Sequence, residues 1–249
     1  MNIVLIKKSI REKLYAHIPY RTISIGSYIR GLYLQKCFNE LSPITLTHVL
    51  DAGSGDGNYS KWLIEKYPFL KINAYDIEDS LLWKHMPKNI TFRKKDLQDL
   101  HEKEKYDFCL CIDVLNCIPE NKIALHNICQ SIKKGGYIYI HIPAKKQKRI
   151  LFKEYFKQYD VTSRKKFPGQ LYSKEELVEI VSSFGLTPIK ISSTFGLFGN
   201  IAWEINAFTG EKSNIFIKIT LIPLLILLSF LECAIHNKEG NGMLLLAKK

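Results

Sequence analysis

Val49-Leu50-Asp51-Ala52-Gly53-Ser54-Gly55-Asp56-Gly57 is the stretch that decides the fold of this chain. Residues 47 to 50 read as the end of a buried strand, and the loop after it has glycine at every second position. A helical pattern begins near Asn58 and sets Trp62, Leu63 and Tyr67 on one face. Strand, glycine loop and helix together bring backbone N–H groups to a ligand at a helix N-terminus. The glycines permit the turn and let backbone approach where a side chain would collide. A dinucleotide fingerprint would need its third small residue at position 58, which is Asn; the third glycine comes one residue early, at Gly57. Asp56 inside the loop and Asp51 at its entrance would repel a pyrophosphate and suit a ligand carrying cationic groups.

This Asp-x-Gly-x-Gly-x-Gly segment resembles the first motif of the class I S-adenosylmethionine-dependent methyltransferases. The resemblance implies S-adenosylmethionine as cofactor, held by Asp51, Ala52, Gly53, Ser54, Gly55 and Gly57. Asp76 ends a short strand over residues 71 to 75 and matches the acidic residue that accepts the ribose hydroxyls, with Ile77 placed against the adenine. Glu78 takes that place if the register is shifted. Asp96, after a third strand over residues 90 to 93, matches an acceptor for the adenine amino group, with Leu97 beside the ring; the alternative is that Asp96 caps the following turn. Asp113-Val114-Leu115-Asn116-Cys117-Ile118-Pro119 resembles the Asp-Val-Leu-x-His-Ile-Pro segment common among small-molecule methyltransferases of the quinone-biosynthesis type. Cys117 stands where relatives carry His, so a proton-transfer role at that position is in question here. Asp113 counts both among the cofactor residues and as a catalytic candidate. His141, at the end of the fifth strand, is the other catalytic candidate, read either as a general base or as a structural histidine.

Five strands alternating with helices over residues 47 to 143 imply a doubly wound parallel sheet, whose ligands lie beyond the carboxyl ends of the strands. A helix over residues 123 to 132 is expected to stop at Lys133-Lys134-Gly135-Gly136, and Ser173-x-x-Glu176 reads as a capping box. Residues 186 to 193 and 242 to 248 supply a sixth strand and an antiparallel seventh. The expectation is an α/β, seven-stranded, mostly parallel sheet in a single domain over residues 1–249. Within it lie N-terminal helices (1–45, in two pieces broken around Pro19), a cofactor core (46–143), a basic substrate or lid segment (144–172) and an apolar insertion (196–240).

The net charge of +12 is uneven: residues 145 to 166 hold nine Lys or Arg against Glu154 and Asp160. That points to an anionic partner, whether a phosphorylated substrate, nucleic acid or an acidic lipid surface; the plainer reading is a solvated helix face. Six cysteines show no zinc spacing, no metal site is expected, and the thiols read as reduced ones of a cytosolic protein. Residues 2 to 6 are too short an apolar run for a signal peptide. Residues 219 to 231 form an uninterrupted run of 13, mostly aliphatic, short of the ~20 needed to cross a bilayer. A helix over residues 215 to 235 therefore packs on the domain, pairs with a second copy as a homodimer, or lies in the headgroup region of a cytosolic membrane face. The resemblance implies methyl transfer to a small or lipid- or glycan-linked acceptor, and the basic segment points to an anionic one. The absence of Asn-Pro-Pro-Tyr after the fourth strand favours oxygen or carbon over adenine nitrogen. The alternatives are an RNA methyltransferase using the basic segment and a degenerate, membrane-associated interaction module.

Overall fold

The computed structural model describes residues 24–41, 45–212 and 215–249. Seven strands form one sheet: β1 (His48–Ala52), β2 (Lys71–Asp76), β3 (Ile90–Lys94), β4 (Tyr106–Ile112), β5 (Ile132–Pro143), β6 (Thr187–Thr194) and β7 (Gly242–Lys248). Their order is β3-β2-β1-β4-β5-β7-β6; β1 to β5 run parallel, and β7 lies antiparallel between β5 and β6. This is the Rossmann-like methyltransferase topology that the glycine loop implied.

Alternation along the strands sends side chains to two cores. Val49, Phe108 and Leu110 join one apolar cluster, while Leu50, Cys109 and Cys111 join the other. The first cluster is covered by α1 (Ile25–Glu40) and α2 (Asn58–Lys66), the second by α3 (Asn121–Ser131) and, after α4 (Lys153–Lys166), by α5 (Lys174–Ser183). Both faces being covered is why β4 is apolar nearly throughout. The Ser173–Glu176 capping box forms as read from the sequence. The expected helical piece before Pro19 lies outside the described residues.

One boundary differs from expectation. The Lys133–Gly136 segment does not cap α3; it belongs to β5, which begins at Ile132. Ile132 pairs with Tyr106, Lys133 reaches Asp107 at 2.7 Å, and Gly135 and Gly136 exchange backbone hydrogen bonds with Lys249. Pairing across the sheet won over the local glycine signal.

The apolar insertion is a helical pair, α6 (Leu197–Lys212) and α7 (Ile215–Ala234), which packs on α1. Its anchor is a carboxylate. Glu232 is fully buried and accepts hydrogen bonds from Tyr33 Oη (2.9 Å), Gly196 N (3.0 Å), Gly199 N (2.9 Å) and Asn237 Nδ2 (2.8 Å). Such a carboxylate is retained because four donors, three on Oε1 and one on Oε2, replace its lost hydration. Among the described residues no helix is long and apolar enough to cross a membrane.

Candidate active site

The glycine loop leaves β1 with Gly53, Gly55 and Gly57 all at positive φ (76°, 51° and 72°). Their reasons differ. A Cβ on Gly53 would lie 2.2 Å from a methyl of Val114, and one on Gly57 would lie 2.6 Å from the Trp83 ring. At those two positions the close approach is therefore to the protein's own side chains, where the sequence suggested a ligand. Gly55 instead faces open space, and Ser54 beside it has a buried hydroxyl without a partner. Gly57 offers no side-chain cap to α2, so that helix turns N–H groups toward the loop.

Acidic side chains surround this loop as expected, but their states are distinct. Asp51 is buried and accepts the Ser60 hydroxyl at 2.6 Å. Burial pushes its carboxyl up to about 7, the Ser60 hydroxyl opposing and Asp76 adding to the rise. It is thus not the fixed negative charge that the sequence suggested. Asp76 accepts the Gly55 N–H at 2.7 Å and the Glu78 N–H at 3.0 Å, fastening β2 to the loop and leaving lone pairs on its outer side. Ile77 next to it is 60% exposed, an apolar platform beside the loop, and Trp83 donates its indole N–H to the Gly55 carbonyl at 3.0 Å. Asp96 caps the turn Leu97–Asp99 by accepting the Gln98 N–H at 2.9 Å, which realises the alternative role weighed for it. Leu97 is buried in the core beneath, with Ala52.

A second constellation stands where β4 and β5 end. Asp113, in the left-handed region at φ 55°, accepts from Arg30 of α1 through Oδ2 and meets His141 Nδ1 through Oδ1 at 2.8 Å. Burial pushes the Asp113 carboxyl up, but Arg30 and His141 outweigh it and hold it below the usual carboxylate range. Burial likewise pushes His141 down, more than Asp113 raises it. A neutral ring beside an ionised carboxylate must donate from Nδ1, so Nε2 accepts the Thr194 hydroxyl at 2.9 Å. Both ring nitrogens are then occupied, which fits the structural reading of His141 better than the base. Phe195 follows at φ 54°, with its ring 5.2 Å from the Arg30 guanidinium and 5.9 Å from His141. A phenylalanine held left-handed costs about 1–2 kcal/mol, and such strain gathers at functional sites.

This constellation lines a cavity of about 260 Å³ that also touches Asn116, Arg149, Asn200 and Trp203. Arg149 is spoken for: Asp160 holds it, and its guanidinium lies 4.5 Å over Trp203. The side-chain oxygens of Asn116 and Asn200 are buried with no partner, and Asn200 is oriented by its amide donating to the Lys148 carbonyl at 2.7 Å. A larger groove of about 850 Å³ shares Phe195, Asn200 and Asn241 with the cavity and is edged by Lys145, Lys146, Lys148, Lys174 and Lys238. The basic segment is fixed above it by Glu204, which is buried and accepts the N–H groups of Ile150, Leu151 and Phe152 at 2.7, 2.8 and 3.0 Å. Part of that segment's charge is neutralised locally, Lys145 by Glu176 and Lys148 by Glu239. Tyr172 is buried and donates to Asn121, while the Arg164 side chain lies outside the described residues.

Sequence reasoning missed Arg30, Asn200, Phe195 and Trp83. Only Arg30 left a signal: a charge between Ile29 and Gly31, within the apolar stripe of a helix.

The doubly wound sheet, the glycine loop with the orphaned Ser54 hydroxyl and Asp76 at the end of β2 form a cradle whose chemistry fits S-adenosylmethionine. Residues 27–191 match the family described as Methyltransferase domain, and the chain belongs to it. It is 27% identical over 108 residues to trans-aconitate 2-methyltransferase of Agrobacterium fabrum, covering 41% of this chain and 42% of that protein. The chain spans only about two fifths of the length of the curated relatives it matches, 42% and 39%. Among solved structures, an S-adenosylmethionine-dependent methyltransferase of Thermotoga maritima superposes with TM-score 0.58 at 18% identity, over 98% of this chain and 96% of that one. Phosphoethanolamine N-methyltransferase 2 of Haemonchus contortus, in complex with S-adenosylmethionine, gives TM-score 0.58 at 18% identity over 90% and 57%. At these identities the likeness is one of fold.

Proposed function

We propose that the chain transfers the methyl group of S-adenosylmethionine to a hydroxyl of a small or lipid-linked acceptor whose anionic extension occupies the lysine-edged groove. The cofactor supplies an electrophilic methyl group on a sulfonium that leaves as a neutral thioether. Asp76 and the open backbone at Gly55 would hold the adenosyl part, with Ile77 against the base. The observation that carries the acceptor reading is the pair of partnerless oxygens, Asn116 Oδ1 and Asn200 Oδ1, in one cavity beyond β4. Buried acceptors of this kind demand an N–H or O–H donor. A hydroxyl donating its one proton to either oxygen keeps a lone pair free for in-line attack, and a second donor group of the acceptor would meet the other, so orientation supplies the rate advantage. His141 Nε2 is closed by Thr194, and its role is to position Asp113 and through it Arg30. The acceptor proton then leaves to water once the O–CH3 bond has formed, with no resident base required.

The test is transfer of labelled methyl from S-adenosylmethionine into fractions of phosphorylated sugars, lipid-linked glycans and RNA. Label in a base-stable methyl ether of the first two supports the reading. Label in RNA assigns the groove to nucleic acid instead, and label on nitrogen refutes the hydroxyl acceptor.

A further inference from the structure

The outward arc of α7 is a surface that methyl transfer does not use. Ile219, Ile222, Leu224, Leu227, Phe230 and Leu231 are all exposed, Leu227 by 54%. Inward lie Leu225, Ser229 and Glu232. At 100° per residue these positions span about 200°, a little over half of the helix circumference, and none of them is charged. An apolar area of that breadth is unusual on a surface meant for water.

We propose that this face docks on an anionic lipid bilayer, lying in the headgroup region parallel to the surface. Three observations select lipid over a second copy of the chain. First, a helix pairing with its twin buries a stripe, whereas an interfacial helix buries the broad arc seen here. Second, the hydroxyls on α7 are satisfied within the helix: Thr220 donates to the Phe216 carbonyl at 2.8 Å and Ser229 to the Leu225 carbonyl at 2.7 Å. The exposed Thr220 thus leaves no hydroxyl proton unpaired, which suits a medium without hydrogen-bond partners. Third, the chain carries +12, and the lysine-edged groove begins directly after α7, at Lys238. An apolar helix joined to cationic groups gives the two signals that stable attachment needs. Pro223 within α7 cannot donate to the Ile219 carbonyl, and headgroup water would satisfy that oxygen where hydrocarbon would not.

The test is co-sedimentation of the full chain with phosphatidylcholine vesicles, with and without phosphatidylglycerol. Association with the anionic vesicles is expected, weakening as salt rises. Leu227→Glu with Phe230→Glu should lower it roughly tenfold or more, because two apolar contacts are replaced by charges repelled by the surface. Both positions are exposed, so an unchanged melting temperature would show that the variant is folded. A milder Leu227→Ser variant should give an intermediate loss. No association at low salt, equal association with neutral vesicles, or a dimer in light scattering that these variants convert to monomer would each overturn the proposal. Vesicle binding is read without methyl transfer, so its failure and that of the catalytic reading are distinguishable.

Discussion

The two halves of the sheet's carboxyl edge are built by different means. On the β1–β2 side the site is backbone: three glycines at positive φ, a helix end without a side-chain cap, and Asp76 fastened to Gly55 within 21 residues of chain. On the β4–β5 side it is side chains drawn from distant segments: Arg30 to Asp113, His141 to Thr194, Asn200 to Lys148. Backbone sites serve a cofactor common to many proteins. Side-chain sites carry what distinguishes one acceptor from another.

The sharpest break in that comparison falls inside the glycine loop. Gly55→Arg should abolish S-adenosylmethionine binding, a loss of more than about a hundredfold by calorimetry, with a stability cost of only about 1–2 kcal/mol for the left-handed residue. Gly53→Ala should do the reverse, destabilising the fold by roughly 2–3 kcal/mol in urea titration, because its Cβ would strike Val114. If Gly55→Arg binds cofactor normally, the loop is not the cradle.

Across the edge, Asp113→Asn keeps the shape but loses the charge that holds Arg30 and His141. Turnover should fall on the order of a hundredfold, as for a misplaced reacting group, with S-adenosylmethionine affinity nearly unchanged. A matching loss of cofactor affinity would move Asp113 to the cofactor side. Asp113 is also a native-state acid held low, so the stability it contributes is present above the ordinary carboxylate range and lost as pH falls through its folded value.

Glu232→Ala strands several buried donors at Gly196, Gly199 and Tyr33. Unfolding free energy should drop by about 3 kcal/mol or more, while cofactor affinity measured below the unfolding transition stays put. That separation would show that the insertion supports the acceptor side alone.

The same contrast explains what could be read from the sequence. The strands of the parallel core, the glycine loop and the end of β2 at Asp76 were legible because each rests on local spacing along the chain. Asp96 was legible only as two alternatives, since an acid before a turn serves a cap or a ligand equally well. The acceptor side was largely illegible: nothing local pairs residue 30 with residue 113, or marks Phe195 as left-handed. The beginning of β5 was misread for a related reason, since Gly135 and Gly136 signal a helix stop locally while Lys249 pairs with them from the far end of the chain. The outer face of α7 was readable as apolar, but the direction it faces is a property of packing on α1.

The smallest expected effect bears on the charge of the cradle itself. Asp51 titrates near 7 in the folded chain, against 3.8 for an ordinary aspartate, chiefly through burial. A raised acid means that the native state holds its proton more firmly than the unfolded chain, so this group costs stability progressively as pH rises from about 3.8 to about 7. Cofactor binding has the opposite slope: a sulfonium and an ammonium nearby favour the ionised carboxylate. Affinity for S-adenosylmethionine should therefore rise by a few-fold between pH 6 and pH 8, and binding near neutrality should release a proton. Calorimetry in buffers of different ionisation enthalpy reads that proton directly. In Asp51→Asn the proton release should vanish and the pH slope flatten. A slope that persists in the variant would place the titrating group elsewhere and leave Asp51 as the partner of Ser60 alone.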